Sequence, residues 1–205
     1  MLKNIFLSVF SPYQLKIVNL HCKRKDKTME RRKLLVEELG RISIEEFRER
    51  KKIPLVVVLD NVRSQHNIGS VFRTSDAFLV EEIMLCGITA TPPQPEIHKT
   101  ALGAEDSMKW SYHPETTAAI SSLQSAGYTV FAIEQTRNSI PLEELKLDRS
   151  RKYAVVFGHE VHGVQQPVID MCHHCIEIPQ HGTKHSLNVS VTAGIVIWDL
   201  FKLLR

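Results

Sequence analysis

The stretch IPQHGTKHSLNVSVTAGIVIWDLFKLL, residues 178–204, joins a polar head to a long apolar tail. From Leu187 to Leu204 apolar residues fall on nearly every side of a helix of about 3.6 residues per turn, which predicts a buried helix rather than a surface amphipathic one. The head carries Ser186, Asn188 and Ser190. A buried polar side chain costs roughly 1–3 kcal/mol unless it is hydrogen-bonded, so these groups require partners in backbone, ligand or another subunit.

Upstream of this segment, β-rich apolar runs alternate with helical patterns: LVVVLD at 55–60, EIMLCG at 82–87, MKWSYH at 108–113, YTVFAIE at 128–134, YAVVFG at 153–158 and CIEIP at 175–179. Strands separated by helix-length segments form βαβ units, so the predicted fold class is α/β, a mostly parallel sheet flanked by helices. TPPQPEI at 91–97 reads as a proline-rich loop. In such sheets ligands bind beyond the carboxyl ends of the strands, which places function in the loops that follow them.

Two of these loops are informative. After the first strand, a helix phased on Ile68 puts Val71, Phe72, Ser75, Phe78 and Leu79 on one face and Arg73 on the other. Asn67 stands where an N-cap belongs, and the bland role for Arg73 is an exposed pair with Asp76. After the fifth strand comes VVFGHEVHGV, whose Gly158 and Gly163 permit a tight turn or a close approach to a ligand. No Lys-Ser/Thr pair follows, which excludes a Walker loop, and His159 and His162 miss the spacing of a zincin helix. No G-x-G-x-x-G follows the first strand, so an ordinary dinucleotide fold is unsupported.

A chain of 205 residues accommodates one α/β domain with a small extension. Its net charge of +3 is unevenly placed: residues 1–52 hold 14 Lys/Arg against 7 Asp/Glu, whereas residues 53–205 hold 12 against 16. We therefore divide the chain into a basic, partly helical N-terminal arm at 1–52 and a weakly acidic α/β body at 53–205. A basic arm on a weakly acidic body suits a polyanionic partner. The early apolar run is too short to span a membrane and no small-residue cleavage site follows it, so a cytoplasmic protein is expected. Cys22, Cys86, Cys172 and Cys175 make no disulfide framework. In the CHHC cluster at 172–175 no second Cys/His pair stands at zinc-finger spacing, so packing is the better reading and no metal is expected.

Three segments, NIGSVFR at 67–73, FGHEVHG at 157–163 and IPQHGTKHSLNVSV at 178–191, together resemble the signature motifs of SPOUT methyltransferases, specifically the TrmH (SpoU) type of RNA 2′-O-ribose methyltransferase. The resemblance covers roughly residues 53–205 and implies a C-terminal trefoil knot with S-adenosylmethionine bent within it. By position it implies cofactor contacts from Glu134 and Gln135, from Gly158, from Ile178 and Pro179, and from Leu187. It further implies a homodimer acting on a ribose of tRNA or rRNA rather than on DNA. The residues it nominates for the reaction are Asn67, Arg73, Glu160, Ser186 and Asn188. Here Gln180 stands where the family often has Met, and HGTKH carries two histidines. Two alternatives stay open, a catalytically silent RNA-binding protein and a base-methylating SPOUT enzyme; the presence of Arg73 and of Ser186 with Asn188 favours an enzyme over the first, and the second would carry a base-reading carboxylate in place of the Asn67 to Arg73 pattern.

If the arm gathers RNA, deleting residues 1–28, which carry six Lys/Arg against one Asp, will weaken RNA binding and flatten its log-log salt dependence while leaving cofactor affinity unchanged. Filter binding at several salt concentrations measures the slope, and an unchanged slope makes these residues a passive tail.

Overall fold

A computed structural model describes residues 32–205. The chain divides into a short unit ending at Arg41 and a compact unit, Ile42–Arg205. The first 28 residues of the arm lie outside the described residues. In the described part of the short unit, a single 3-10 turn, Val36–Leu39, ends at Gly40 in the left-handed region, so the helical pattern is interrupted there. The compact unit starts at Ile42 rather than at 53. Its first helix, α1 (Ile44–Glu49), is closed by a Ser43–Glu46 capping box, and it buries Phe47 in the main core.

The sheet strands are β1 (Ile53–Asp60), β2 (Val80–Cys86), β3 (Trp110–His113), β4 (Tyr128–Ile133), β5 (Ile140–Pro141), β6 (Lys152–Phe157) and β7 (His174–Glu177). They run in the order β3-β2-β1-β6-β4-β7-β5, and every pairing is parallel. The two-residue β5 carries no periodic signal and escaped the sequence reading. Between the strands lie α2 (Gln65–Ala77), α3 (Pro95–Ala101), α4 (Ala104–Ser107), α5 (Thr116–Ser125) and α6 (Gln166–Met171), and α7 (Val189–Leu204) closes the chain. The proline-rich loop is shorter than its composition suggests: Pro95 opens α3 at its first position, where a missing N–H costs nothing.

Alternation along β1 divides the core between the two sheet faces. Leu55, Val57 and Leu59 join the cluster under α1, α2, α3 and α7, whereas Val56 and Val58 join the one under α5 and α6. Cys172 and Cys175 pack against this second cluster, and burial pushes the Cys172 thiol up to about 12, as an inert packing group requires.

From β7 the chain returns past the ends of β4 and β6 to lay α7 against α2 and β1. The expectation that α7 is buried all round needs correction. Ala193, Val196, Ile197 and Leu200 are buried, but Val191, Ile195 and Trp198 remain exposed along the opposite side.

Close contact between α2 and α3 explains Gly69. A β-carbon there would stand 2.2 Å from the Ile97 carbonyl oxygen and 2.2 Å from Thr100 Oγ1. Gly69→Ala will destabilise the fold by about 1–3 kcal/mol through overpacking, despite alanine's better helix propensity. A lowered denaturation midpoint with unchanged slope verifies this.

Candidate active site

Because all strands are parallel, the loops after β4, β6 and β7 gather at one edge of the sheet. There they enclose a cleft of about 640 Å³. Of the residues nominated for a cofactor, Glu134, Gln135, Gly158, Ile178 and Leu187 line it, as do Glu160, Ser186 and Asn188 from the catalytic set. Pro179 instead lines a neighbouring pocket of about 260 Å³. Asn67 and Arg73 are outside the cleft lining.

The loop after β6 is held by its own backbone. His159 N–H donates to the Gly163 carbonyl at 3.0 Å and Gly163 N–H to the His159 carbonyl at 2.8 Å. A β-carbon on Gly158 would meet the Gly163 carbonyl carbon at 2.1 Å and Val164 N at 2.2 Å, so glycine is required for closure. Gly163 has φ +66 and leaves no room beside Glu134, whose Oε2 accepts from Val164 N–H at 3.0 Å. Glu134 therefore braces this loop as well as lining the cleft.

A polar chain links the three motif segments. Glu160 accepts from the backbone N–H groups of Arg63 at 3.0 Å and Ser64 at 2.8 Å, and from Asn67 Nδ2 at 3.0 Å. Asn67 Oδ1 in turn accepts from Asn188 Nδ2 at 3.2 Å. Asn188 caps α7, its Oδ1 accepting from Ser190 N–H at 2.9 Å and Ser190 Oγ at 2.6 Å. Asn188 and Ser190 thus have partners in backbone, in each other and in the first motif, whereas Ser186 is exposed.

Two single-residue readings change. Ser64, not Asn67, is the N-cap of α2, and Asn67 is freed to bridge Glu160 and Asn188. Arg73 is exposed as predicted, yet among the described residues it forms no ion pair; Asp76 accepts instead from Ser107 Oγ at 2.6 Å. Glu160 bonds to Arg63, Ser64 and Asn67 and not to Arg73.

Composition alone concealed Asp60, fully buried at the end of β1. It accepts from Thr116 Oγ1 at 2.6 Å, Gln165 N–H at 2.9 Å and Gln165 Nε2 at 2.7 Å, fixing the far end of the β6 loop. An aspartate closing a buried strand, LVVVLD, was the available signal. His159 Nδ1 accepts from Val161 N–H at 3.0 Å, so the neutral ring carries its proton on Nε2. Among the described residues no group of His, Cys, Asp or Glu is arranged to hold a metal ion, and no helix is long and apolar enough to cross a membrane.

A parallel sheet with three converging carboxyl-end loops, tied through FGHEVHG and the Ser-x-Asn head of the last helix, defines the SPOUT class of methyltransferases. Residues 54–198 match the SpoU rRNA Methylase family, and the chain belongs to that family of TrmH-type RNA methyltransferases. It is 33% identical, over 79% of its length and 81% of the relative's, to the tRNA (guanosine(18)-2′-O)-methyltransferase of Thermus thermophilus. Among solved structures it is similar to the TrmH/SpoU tRNA modifying enzyme of A. aeolicus, with TM-score 0.69, 23% identity, and coverage of 78% of this chain and 80% of that one. It also resembles the AdoMet-bound rRNA methyltransferase of Sinorhizobium meliloti, with TM-score 0.69, 25% identity, and coverage of 78% and 60%.

Burial raises the pKa of Glu160, but the N–H groups of Arg63 and Ser64, its own N–H and the Asn67 amide outweigh this, so its carboxyl lies below the usual value of 4.5. A depressed carboxylate contributes stability that is present above the unfolded pKa and lost as pH falls through the folded one. Wild-type stability will therefore fall as pH drops below about 4.5, and Glu160→Gln will be less stable at neutral pH with a shallower acid loss. Melting temperatures across this range check the sign.

Proposed function

We propose that the protein transfers the methyl group of S-adenosylmethionine to a ribose 2′-hydroxyl of tRNA or rRNA, acting as a homodimer. The carrying observation is the Glu160–Asn67–Asn188 chain, which joins all three motif segments beside one cleft. The cleft volume of about 640 Å³ suits a nucleoside-sized ligand. Ile133, Ile176, Ile178 and Leu187 offer apolar walls for a base, and Glu134, Gln135 and Thr136 offer polar groups for a ribose.

S-adenosylmethionine supplies an already activated methyl, so the chain's task is to align the hydroxyl and manage its proton. Ser186, at the cleft wall, orients the ribose, while Asn188 keeps the start of α7 in register with the first motif. A guanidinium remains protonated and only donates, so Arg73 binds the adjacent phosphate and stabilises charge on the attacking oxygen. His159 is a poor proton acceptor, because its Nδ1 is committed to Val161 and its Nε2 carries the proton. His185, which also lines the cleft, is the better candidate to take the proton.

The exposed stripe of Val191, Ile195 and Trp198 supports a second copy as partner. Arg73, exposed on α2, the helix that packs against α7, is then available to substrate at the assembled site. The basic arm gathers RNA, and the weakly acidic body performs the chemistry.

Titration calorimetry will show S-adenosylmethionine binding once per subunit, and tritiated cofactor with total RNA will yield a 2′-O-methylated nucleoside. Absence of heat at millimolar ligand with folded protein refutes this reading. Arg73→Ala will fold and bind cofactor normally but lose on the order of a hundredfold in methyl transfer, the usual loss for one preorganised electrostatic group. Arg73→Lys will be nearly as poor, because an ammonium lacks the bidentate fork.

A further inference from the structure

At the foot of β6, away from the cleft, the body reverses its charge. Residues 146–152, KLDRSRK, hold four Lys/Arg against one Asp, whereas the remainder of residues 53–205 holds 8 against 15. Lys146, Arg149, Arg151 and Lys152 are all exposed, and among the described residues none of them forms an ion pair. Glu143 and Glu144 stand on the preceding 3-10 turn, Leu142–Glu144, and buried Leu145 separates them in sequence from the stretch.

These cations are presented by a turn of fixed shape rather than by a loose loop. Tyr153 is 4% exposed and stacks on Phe131, and its hydroxyl accepts from Asp148 N–H at 2.8 Å. Arg151 N–H closes the turn on the Asp148 carbonyl at 3.0 Å. The Asp148 carboxylate is spent within the same turn, accepting from Ser150 N–H at 2.9 Å and from Ser150 Oγ at 2.7 Å. Arg149 has a second anchor. Its Nε donates at 3.0 Å to the Leu203 carbonyl, in the last turn of α7, where backbone acceptors lack helical partners. Among the described residues its two terminal amino groups bond to nothing, so the guanidinium is held while its donor fork stays unspent. A side chain already held in place loses less freedom when it takes a phosphate.

We infer that this turn is a second contact for the RNA backbone, taking phosphates while the acceptor ribose occupies the cleft; it rests on the methyltransferase reading above for the identity of the polyanion. Lys152 opens β6 and Phe157 ends it at the cleft, a separation of about 17 Å at roughly 3.3 Å per residue. One folded RNA is larger than this span and reaches both. Contacts to phosphate fix position and register but carry no base information, so the turn strengthens docking without choosing the nucleotide. A lipid surface is the poorer occupant, because the stretch exposes no large apolar side chain to enter it.

Filter binding of unmodified tRNA and rRNA transcripts to the full chain, repeated at several salt concentrations, tests the surface. The double variant Lys146→Ala, Arg151→Ala removes two side chains that make no bond among the described residues, so its melting temperature will match wild type. Its RNA Kd will rise on the order of tenfold, and its log-log salt slope will become shallower by about 1.5, as two lost phosphate contacts require. In methyl transfer with tritiated S-adenosylmethionine, the KM for RNA will rise while kcat and the cofactor Kd stay unchanged. Arg149→Ala will shift RNA binding in the same direction. An unchanged slope in the double variant, a fall in kcat without a rise in KM, or a loss of binding to phosphatidylserine vesicles with RNA affinity kept overturns this assignment alone. The predicted change in slope, in a protein that binds no S-adenosylmethionine, supports the surface and overturns the enzyme reading.

Discussion

The bond from the Asn67 amide to the Glu160 carboxylate is the constraint on which the site depends. Asn67 is only 8% exposed, so both ends of its carboxamide need partners, and both have them: Glu160 on one side and Asn188 on the other. Glu160 also takes the first free N–H groups ahead of α2, where an anion is favoured by the helix dipole. Hydrogen bonds to a charged group contribute roughly 1.5–3 kcal/mol each, about twice the neutral kind. A single carboxylate thereby docks the β6 loop onto the start of α2, and a single amide transmits that register to the cap of α7.

The β6 loop could not make this connection if its backbone were free to wander. Its shape is set by mutual closure between His159 and Gly163, and the absent side chain at Gly158 is what allows the two strands of the turn to touch. Glu134 takes the Val164 N–H, and Asp60 takes the Gln165 N–H. Each carboxylate comes from the end of a different strand, β4 or β1. Rigid strands therefore position the loop from two directions, which is how a loop acquires the precision that a reacting site requires.

Strands were legible because parallel strands buried on both faces read as continuous apolar runs, and LVVVLD, YTVFAIE and YAVVFG are of this kind. The residues of the cleft were legible through three motifs of fixed order, although Pro179 borders the smaller pocket. What the sequence hid was the choice among equivalent polar neighbours. Ser64 and Asn67 are both good caps, and only the location of Glu160, 93 residues beyond Asn67, decides which one caps and which one bridges. Asp60 was hidden for the same reason, since its partner Gln165 lies 105 residues away. Helix α1 was assigned to the arm because local charge dominates its composition, yet one residue, Phe47, commits it to the core.

The terminal helix shows where pattern reading reaches its physical limit. A sequence that is apolar all round specifies that every side is to be covered, but not by which molecule. One chain covers Ala193, Val196, Ile197 and Leu200, and it leaves Val191, Ile195 and Trp198 to solvent. Phe78 on the end of α2 packs against Trp198 at 5.3 Å between ring centroids, so the exposed stripe continues onto the helix that carries Arg73. Among the described residues, a guanidinium without an ion pair and an apolar stripe without cover are thus neighbouring features of two packed helices. In the assembly proposed above, the stripe is the surface that a second copy covers and the cation is left for phosphate rather than an internal carboxylate.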